Sequence, residues 1–343
     1  MKKPLVSVVM PVKNAATTLD ESIRSLQAQD LREIEIILVD HASVDATGEI
    51  IKKAASEDSR IRALSCDGTF VEAANLAWEM ATADLIARMD SDDVAHPERL
   101  SSQLRFLRDH PELEASCTQV KIRKRGSERG EDIPPDGGYS RYESWVNSAI
   151  TPDEIFAQRF IDSPIPNPTM MIKREVLTSL GGYHDPTWAE DYDFWLRFLE
   201  AGYRIGKVPA QLLDWHDSAN RSTRTIPRYE QDQFQKAKAH FLSRVEAIQS
   251  CGVMIRGAGP IGKRIAKLLI EKAIEVHYFI EVNPKKIGNR IAGIEVVDFQ
   301  DLTSLPSQPV LLGAVGNETA RNHIRNQALG IGRVEGKDFF CVA

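Results

Sequence analysis

Cysteine is scarce and scattered. Four thiols in 343 residues (Cys66, Cys117, Cys251 and Cys341) form no CxxC, so neither a zinc knuckle nor a disulfide framework is indicated. Reduced thiols of a cytosolic protein are expected instead. An excess of one charge is also missing. The chain has 43 Lys+Arg against 49 Asp+Glu, a net −6, without the bulk positive potential that nucleic-acid binders rely on. No stretch approaches about eighteen consecutive apolar residues, so no integral membrane segment is expected. The opening MKKPLVSVVMPVK is apolar only briefly, is β-branched and is broken by Pro11. It reads as a first strand and not as a secretory signal. What remains is ordinary globular material, 42% hydrophobic and 27% charged, long enough for about two domains.

The first hundred residues alternate between two periodicities. Strand-like runs fall at Leu5–Met10, Glu35–Asp40, Arg60–Ser65 and Ala83–Met89. Between them, Leu19, Ile23 and Leu26, then Ile50, Ile51 and Ala54, then Glu72–Met80 follow helical spacing, and Thr18 with Glu21 makes a capping-box pattern. Leu100, Leu104 and Leu107 mark a further amphipathic helix. Strict alternation implies βαβ crossovers and a mainly parallel, doubly wound sheet. The polar stretch from Gly126 to Gly138 reads as an exposed loop. Helical pattern returns at Asp191–Ala201 and around Phe234, Ala237, Phe241 and Val245. A fresh strand–turn–helix–strand unit opens at Cys251, which places a domain boundary near Arg244–Cys251 and predicts domains over 1–245 and 250–343.

Chemistry concentrates where strands end. In LIARMDSDDVAHPERL an apolar strand runs into Asp90, Asp92 and Asp93, at the sheet edge where open α/β folds bind ligands. Three carboxylates within four residues repel one another unless a cation neutralises them, and hard oxygen ligands suit Mn²⁺ or Mg²⁺ beside substrate phosphates. The competing reading is an acidic turn that caps the next helix; the buried strand before it favours the metal. Strand Ile34–Val39 delivers Asp40 to the same edge, while Ser43 and Asp45 read as caps. In TWAEDYDFWLRFLEAG, Glu190 and Asp191 open a helix whose dipole favours carboxylates, and Phe194, Trp195 and Phe198 read as core. Together the acids supply a metal site and a separate base.

In the last third, GAGPIG (Gly257, Gly259, Gly262) follows strand Val253–Arg256 and opens a helix, with Glu281 at the end of the next strand. That is the context of a dinucleotide fingerprint, so NAD(P) or another nucleotide is a candidate ligand there. Rossmann-like modules also serve in assembly and regulation, and both readings stand.

VSVVMPVKNAATTLDESIRSLQAQ, EIILVDHASVDAT, LIARMDSDDVAHPERLSSQLRFLRDHP and NPTMMIKREVLTSLGGYHDPTWAEDYDFWLR, in that order, resemble the family 2 glycosyltransferases. The likeness covers about residues 4–245. It implies a GT-A fold, an inverting reaction, a nucleotide-sugar donor and a divalent metal. It further implies that Asp40 and Asn75 line the nucleotide pocket, with Pro11, His41 and Arg88 on the donor side. Asp90, Asp92 and Asp93 match the DxD region, Asp191 the catalytic base and Glu190 its neighbouring acid. Pro166–Thr169 and Gly181–Gly182 match the acceptor side. The chain departs from the family at Asp40-His41, where two acids are common. His216, in WHDSANRSTRTIPRYE, either completes the metal site, contacts the diphosphate or is structural. Arg221 and Arg224 are candidate phosphate clamps.

The expectation is therefore a GT-A domain followed by a smaller Rossmann-like α/β domain. Sugar would pass from a nucleotide-sugar to a carbohydrate or lipid-linked glycan acceptor, in the cytoplasm or peripherally at the inner membrane face. Oligomers remain open. A sugar nucleotidyltransferase would want a glycine-rich, arginine-containing loop after the first strand, which PVKNAATTLDE lacks. An NAD-dependent sugar oxidoreductase would use GAGPIG, but no Tyr-Lys or His pair accompanies it. A binding scaffold without activity would have no use for the acids.

Overall fold

The structure is a computed structural model and describes residues 3–125, 132–133, 137–217, 226–304 and 308–343. Two compact units emerge. The first takes Met1–Ile155, Pro164–Pro186 and Glu190–Thr225; the second takes Phe156–Ser163, Thr187–Ala189 and Ile226–Ala343.

In the first unit, β1 (Val6–Val12), β2 (Ile34–Asp40), β3 (Ile61–Ser65) and β4 (Leu85–Arg88) alternate with α1 (Leu19–Gln27), α2 (Thr47–Glu57) and α3 (Phe70–Glu79). There follow β5 (Val94–Ala95), α4 (Arg99–Asp109), β6 (Ala115–Arg125), β7 (Asp132–Ile133), α5 (Gly137–Ser148), α6 (Pro152–Gln158, of which the part from Phe156 on is counted with the second unit), β8 (Met171–Lys173), α7 (Arg174–Leu180), α8 (Glu190–Glu200) and β9 (Ile205–Asp217). The sheet order is β3-β2-β1-β4-β8-β6-β9-β5, with β7 on β6. The first four strands are parallel, as alternation predicts. Beyond them β8 runs antiparallel to both β4 and β6, so the sheet is mixed.

β1 lies inside the sheet between β2 and β4, and all seven of its residues are buried. A strand covered on both faces needs a continuous apolar run, which VSVVMPV supplies. Pro11 is tolerated because of where its missing N–H would point. Val9, two residues earlier, takes the Met89 N–H on its carbonyl, so Pro11 faces the same side, where β4 has already ended at Arg88. The two strands part there and open the crevice.

The opposite edge is fixed by a buried carboxylate. Glu35 Oε1 accepts from Ser7 Oγ (2.6 Å), Thr82 N (2.6 Å) and Thr82 Oγ1 (2.7 Å), while Arg62 reaches Oε2 at 3.2 Å. Ser7 Oγ in turn accepts from Ala83 N. These bonds hold the approach to β4 against β1 and β2.

The expected capping box at Thr18–Glu21 does not form. Thr18 Oγ1 donates instead to the Ser91 carbonyl at 2.9 Å, anchoring the acidic turn to the start of α1. A box forms at Thr69–Glu72, at the head of α3. Most of the polar stretch 126–138 lies outside the described residues. Phe194, Trp195 and Phe198 are core, each at most 1% exposed.

The second unit adds α9 (Gln231–Leu242), α10 (Glu246–Cys251), β10 (Val253–Arg256), α11 (Pro260–Ile270), β11 (Val276–Glu281), β12 (Arg290–Ile291), β13 (Ile294–Asp298), β14 (Val310–Gly313), α12 (Glu318–Gly330) and β15 (Phe339–Cys341). Its sheet order is β12-β13-β11-β10-β14-β15, parallel apart from β12. The division falls before the expected 245–250 boundary because α9 belongs with this sheet. Asp232 of α9 meets Arg264 of α11 at 2.6 Å, and Lys238 Nζ donates to the Val342 carbonyl at 3.1 Å. Among the described residues no helix is long and apolar enough to cross a membrane.

Burial alone would raise the Glu35 pKa, but Ser7, Thr82 and Arg62 outweigh it and hold the carboxyl below its usual 4.5. A depressed folded pKa gives stability that is present above 4.5 and is lost as pH falls through the folded value. Glu35→Gln should therefore cost about 1–3 kcal/mol at pH 7. In urea unfolding the deficit should shrink steadily below pH 4.5, and a deficit unchanged with pH would speak against the ionised network.

Candidate active site

The carboxyl ends of β1, β2 and β4 converge, and their loops are laced together. Asn14 N donates to Ser43 Oγ (2.9 Å), Ala15 N to Thr47 Oγ1 (2.8 Å) and Ala16 N to Asp45 Oδ2 (3.1 Å). Ser43 thus joins two loops, while Asp45 also takes the Thr47 N–H at the head of α2. Asp40 ends β2 and accepts from Ser43 N at 3.2 Å. Ala42 stands at φ 55°, a left-handed conformation that costs an alanine about 1–2 kcal/mol and marks this loop as over-determined. Between them His41 is buried against the Phe70 ring, with Nδ1 lacking any hydrogen-bond partner among the described residues. Burial, then Lys13, pushes its pKa down, so the imidazole is neutral and can either accept or donate at a base edge.

At the end of β4 the charges gather. Arg88 is 3% exposed, pairs with Asp90 at 2.6 Å and lies 5.3 Å from the centre of the Phe70 ring. Burial opposes its charge, yet Asp90, Tyr183 and Glu190 outweigh burial and hold its pKa above the ordinary value. Asp191, at the head of α8, is pushed up to about 7, first by burial and then by Glu190, with Asp90 adding to the effect and Arg88 opposing it. Asp90, Glu190 and Asp191 therefore share one electrostatic site with Arg88, although about a hundred residues separate Asp90 from Glu190 along the chain. Glu190 is buried and Asp191 is partly open.

Other members of the predicted set support the site from behind. Asn75 takes Tyr183 N on Oδ1 (2.9 Å) and gives Nδ2 to the Tyr183 carbonyl (2.9 Å), so its amide ties α3 to the Gly181–Tyr183 turn. Arg197 grips the same turn through the Leu180 and Gly182 carbonyls while pairing with Asp193 at 2.7 Å. Asn167 Oδ1, in the Pro166–Thr169 segment, accepts from Trp195 Nε1 at 3.3 Å and Tyr183 Oη at 3.4 Å.

Asp93 is fully buried and takes the His216 N–H on Oδ1 at 2.9 Å, which brings the DxD region onto β9. Asp92 is half-buried in the turn between β4 and β5. Among the described residues no group of three or more His, Cys, Asp or Glu side chains is placed to hold a metal ion. His216 is buried on β9; its imidazole and the Asp92 carboxylate are donor types that suit a divalent cation taking its remaining ligands from substrate phosphates and water. Asp93 contributes by positioning β9. Arg221 and Arg224 lie outside the described residues.

Sequence reasoning missed Tyr183 and Arg99. Buried Arg99 donates to the Arg88 carbonyl and to Gln103 Oε1, and its pKa is pushed down to about 10 by burial, with Asp93 and Asp90 opposing. Its spacing with Gln103, one helical turn apart, was the available signal. Tyr183 had none.

Residues 7–181 match the family described as Glycosyl transferase family 2. EpsE of Bacillus subtilis (strain 168) is 32% identical over 207 residues, 59% of this chain and 69% of that protein. The O-antigen biosynthesis glycosyltransferase WbnJ of Escherichia coli is 29% identical over 197 residues, 57% of this chain and 72% of that protein. In fold, the chain is similar to S. aureus TarS 1–349 in complex with UDP-GlcNAc, with TM-score 0.53 and 17% identity over 77% of this chain and 71% of that one. Against another crystal structure of TarS 1–349 the TM-score is 0.50 at 18% identity, over 69% of this chain and 65% of that one, just under two thirds.

Because the Asp191 pKa is higher folded than unfolded, folding favours its protonated form. That stability is complete below 3.8 and is lost as pH rises through about 7. Asp191→Asn, which cannot ionise, should therefore be more stable than the wild type by about 1–3 kcal/mol at alkaline pH and nearly equal to it below pH 3.8. Urea unfolding at the two extremes checks this; a gap independent of pH would contradict a strained carboxylate.

Proposed function

The chain belongs to glycosyl transferase family 2, and on that premise we propose that it moves a sugar from a nucleoside-diphosphate donor to a hydroxyl acceptor with inversion at the anomeric carbon. The observation that carries this reading is Asp191, a carboxylate tuned to about 7 beside Arg88 and Asp90 at the mouth of the sheet. A base of that strength is half-ionised near neutrality, where general-base catalysis is most effective.

In the proposed step the acceptor hydroxyl gives its proton to Asp191 as its oxygen bonds to the anomeric carbon. The bond from that carbon to the diphosphate oxygen breaks, and the nucleoside diphosphate leaves with the electron pair. One displacement inverts the centre. Glu190 adds to the basicity of Asp191 by repulsion, and Arg88 tempers that rise. Asp40 and neutral His41, whose Nδ1 lacks a partner among the described residues, would face the nucleoside. Asp92 and His216 would hold Mn²⁺ or Mg²⁺, which when bound neutralises charge on the departing diphosphate. The Tyr183 turn and Asn167 would shape the acceptor side. WbnJ's part in O-antigen biosynthesis supports a carbohydrate or lipid-linked glycan as acceptor, in a bacterial surface polysaccharide. The UDP-GlcNAc bound by TarS makes a UDP-sugar the first donor to try.

The test is a panel of UDP-, GDP- and dTDP-sugars with and without Mn²⁺, read by donor binding and nucleotide release. One donor should bind, with the metal strengthening it. Asp191→Asn should keep donor binding and lose on the order of 10²–10⁴-fold in turnover. Wild-type turnover should climb with pH, reach half its maximum near 7 and level off above that as Asp191 ionises fully. Wild-type turnover in Asp191→Asn, or a rate flat across that pH range, would overturn the assignment of the base.

A further inference from the structure

The GAGPIG turn of the second unit has no part in the chemistry above. Its sheet carries β13-β11-β10-β14-β15 in parallel, so β10 has neighbours reached by crossovers in opposite directions. The crevice beyond its carboxyl end is where open α/β sheets bind ligands.

The three glycines differ in what they are for. Gly257 stands at φ 108°, where a side chain is strained. At Gly262 an added Cβ would meet the Gly257 carbonyl oxygen at 2.0 Å, so α11 can rest on the turn only without one. Gly259 is another matter. Its φ of −86° suits any residue, and an added Cβ would meet nothing within 4 Å. Folding requires glycine at 257 and 262 and is indifferent at 259. A bare backbone at the head of an eleven-residue helix, with no side-chain cap, leaves room for an anion to approach the helix amides.

A second, independent feature lies beside it. Arg256, the last residue of β10, is 5% exposed, and its Nη1 has no hydrogen-bond partner among the described residues. Its guanidinium lies 4.0 Å from the centre of the Phe299 ring, at the end of β13. The nearby acid, Glu281, is held elsewhere, since its Oε1 takes the Ala258 N–H at 2.9 Å and Lys286 Nζ at 2.8 Å. Asp298 takes the Gln300 N–H at 2.9 Å. A buried donor without an acceptor is costly unless something outside the chain supplies one.

We infer that the second unit binds a nucleotide through its diphosphate, which lies over Gly259 at the head of α11 while the nucleoside end lies across the tips of β11 and β13 beside Glu281 and Arg256. The shared chemistry is a ribose-linked diphosphate. A free dinucleotide and a nucleotide-sugar both offer it.

The test uses the full chain and four probes: NAD⁺, ADP-ribose, UDP-GlcNAc and inorganic pyrophosphate. Gly259→Ala should fold and melt like the wild type without ligand. Against whichever nucleotide the second unit takes, it should bind about tenfold more weakly or worse and show no ligand-induced rise in Tm. Arg256→Met, read by the same affinities, should weaken the nucleotide more than pyrophosphate. NAD⁺ and ADP-ribose as the sensitive probes identify a dinucleotide site; UDP-GlcNAc identifies a nucleotide-sugar site. UDP-GlcNAc binding that Gly259→Ala leaves unchanged belongs to the first unit and does not support the inference. No nucleotide binding sensitive to Gly259→Ala overturns it, and so does pyrophosphate binding as tightly as every nucleotide.

Discussion

Asp90, Glu190 and Asp191 crowd around the buried guanidinium of Arg88, and much of the first unit can be understood as holding that arrangement together. Like charges in a low-dielectric crevice separate or protonate unless they are held. Arg88 is held by its place at the end of β4, where Arg99 takes its carbonyl and the Met170 carbonyl takes its N–H. The two acids of α8 follow a turn that both Asn75 and Arg197 grip. The repulsion that makes the site costly to fold also adds to burial in raising the Asp191 pKa to about 7.

Much of this was legible in the sequence because it is local. The β-branched run at β1, the acids directly after β4 and the Glu-Asp pair opening α8 each declare themselves within a few residues. The contacts between these segments were not legible. Thr18 and Glu21 have capping-box spacing, but the Ser91 carbonyl competes for the Thr18 hydroxyl and wins. Asp93 looks like its neighbours in DSDD, yet it is buried and serves the His216 backbone. Asn75 resembles a nucleotide contact by position and carries a structural load through Tyr183. In each case a partner at least seventy residues away decides the role, and no local pattern carries that information.

The second sheet gives the complementary lesson. Its glycine spacing was plain from the sequence, but the spacing treats three glycines alike. Built in three dimensions, two of them answer to the fold and one does not. Glu281 likewise sits where a ribose-binding acid is expected and is also a brace for the turn. Arg256, which no motif singles out, is the side chain there with a hydrogen bond still to make.

The place of β1 between β2 and β4 also has a consequence in time. Its residues pair on one side with β2, close behind in the chain, and on the other with β4, where Val6 meets Leu85. A ribosome adding 5–20 residues per second needs on the order of 4–16 s to cover the roughly eighty residues between them. Throughout that interval one edge of VSVVMPV stands open, apolar and unpaired, a template for strands of other nascent chains. Pro11 shortens the open edge by one donor. The newborn chain thus depends on swift emergence of β4, or on a chaperone, to protect the strand on which the finished crevice is built.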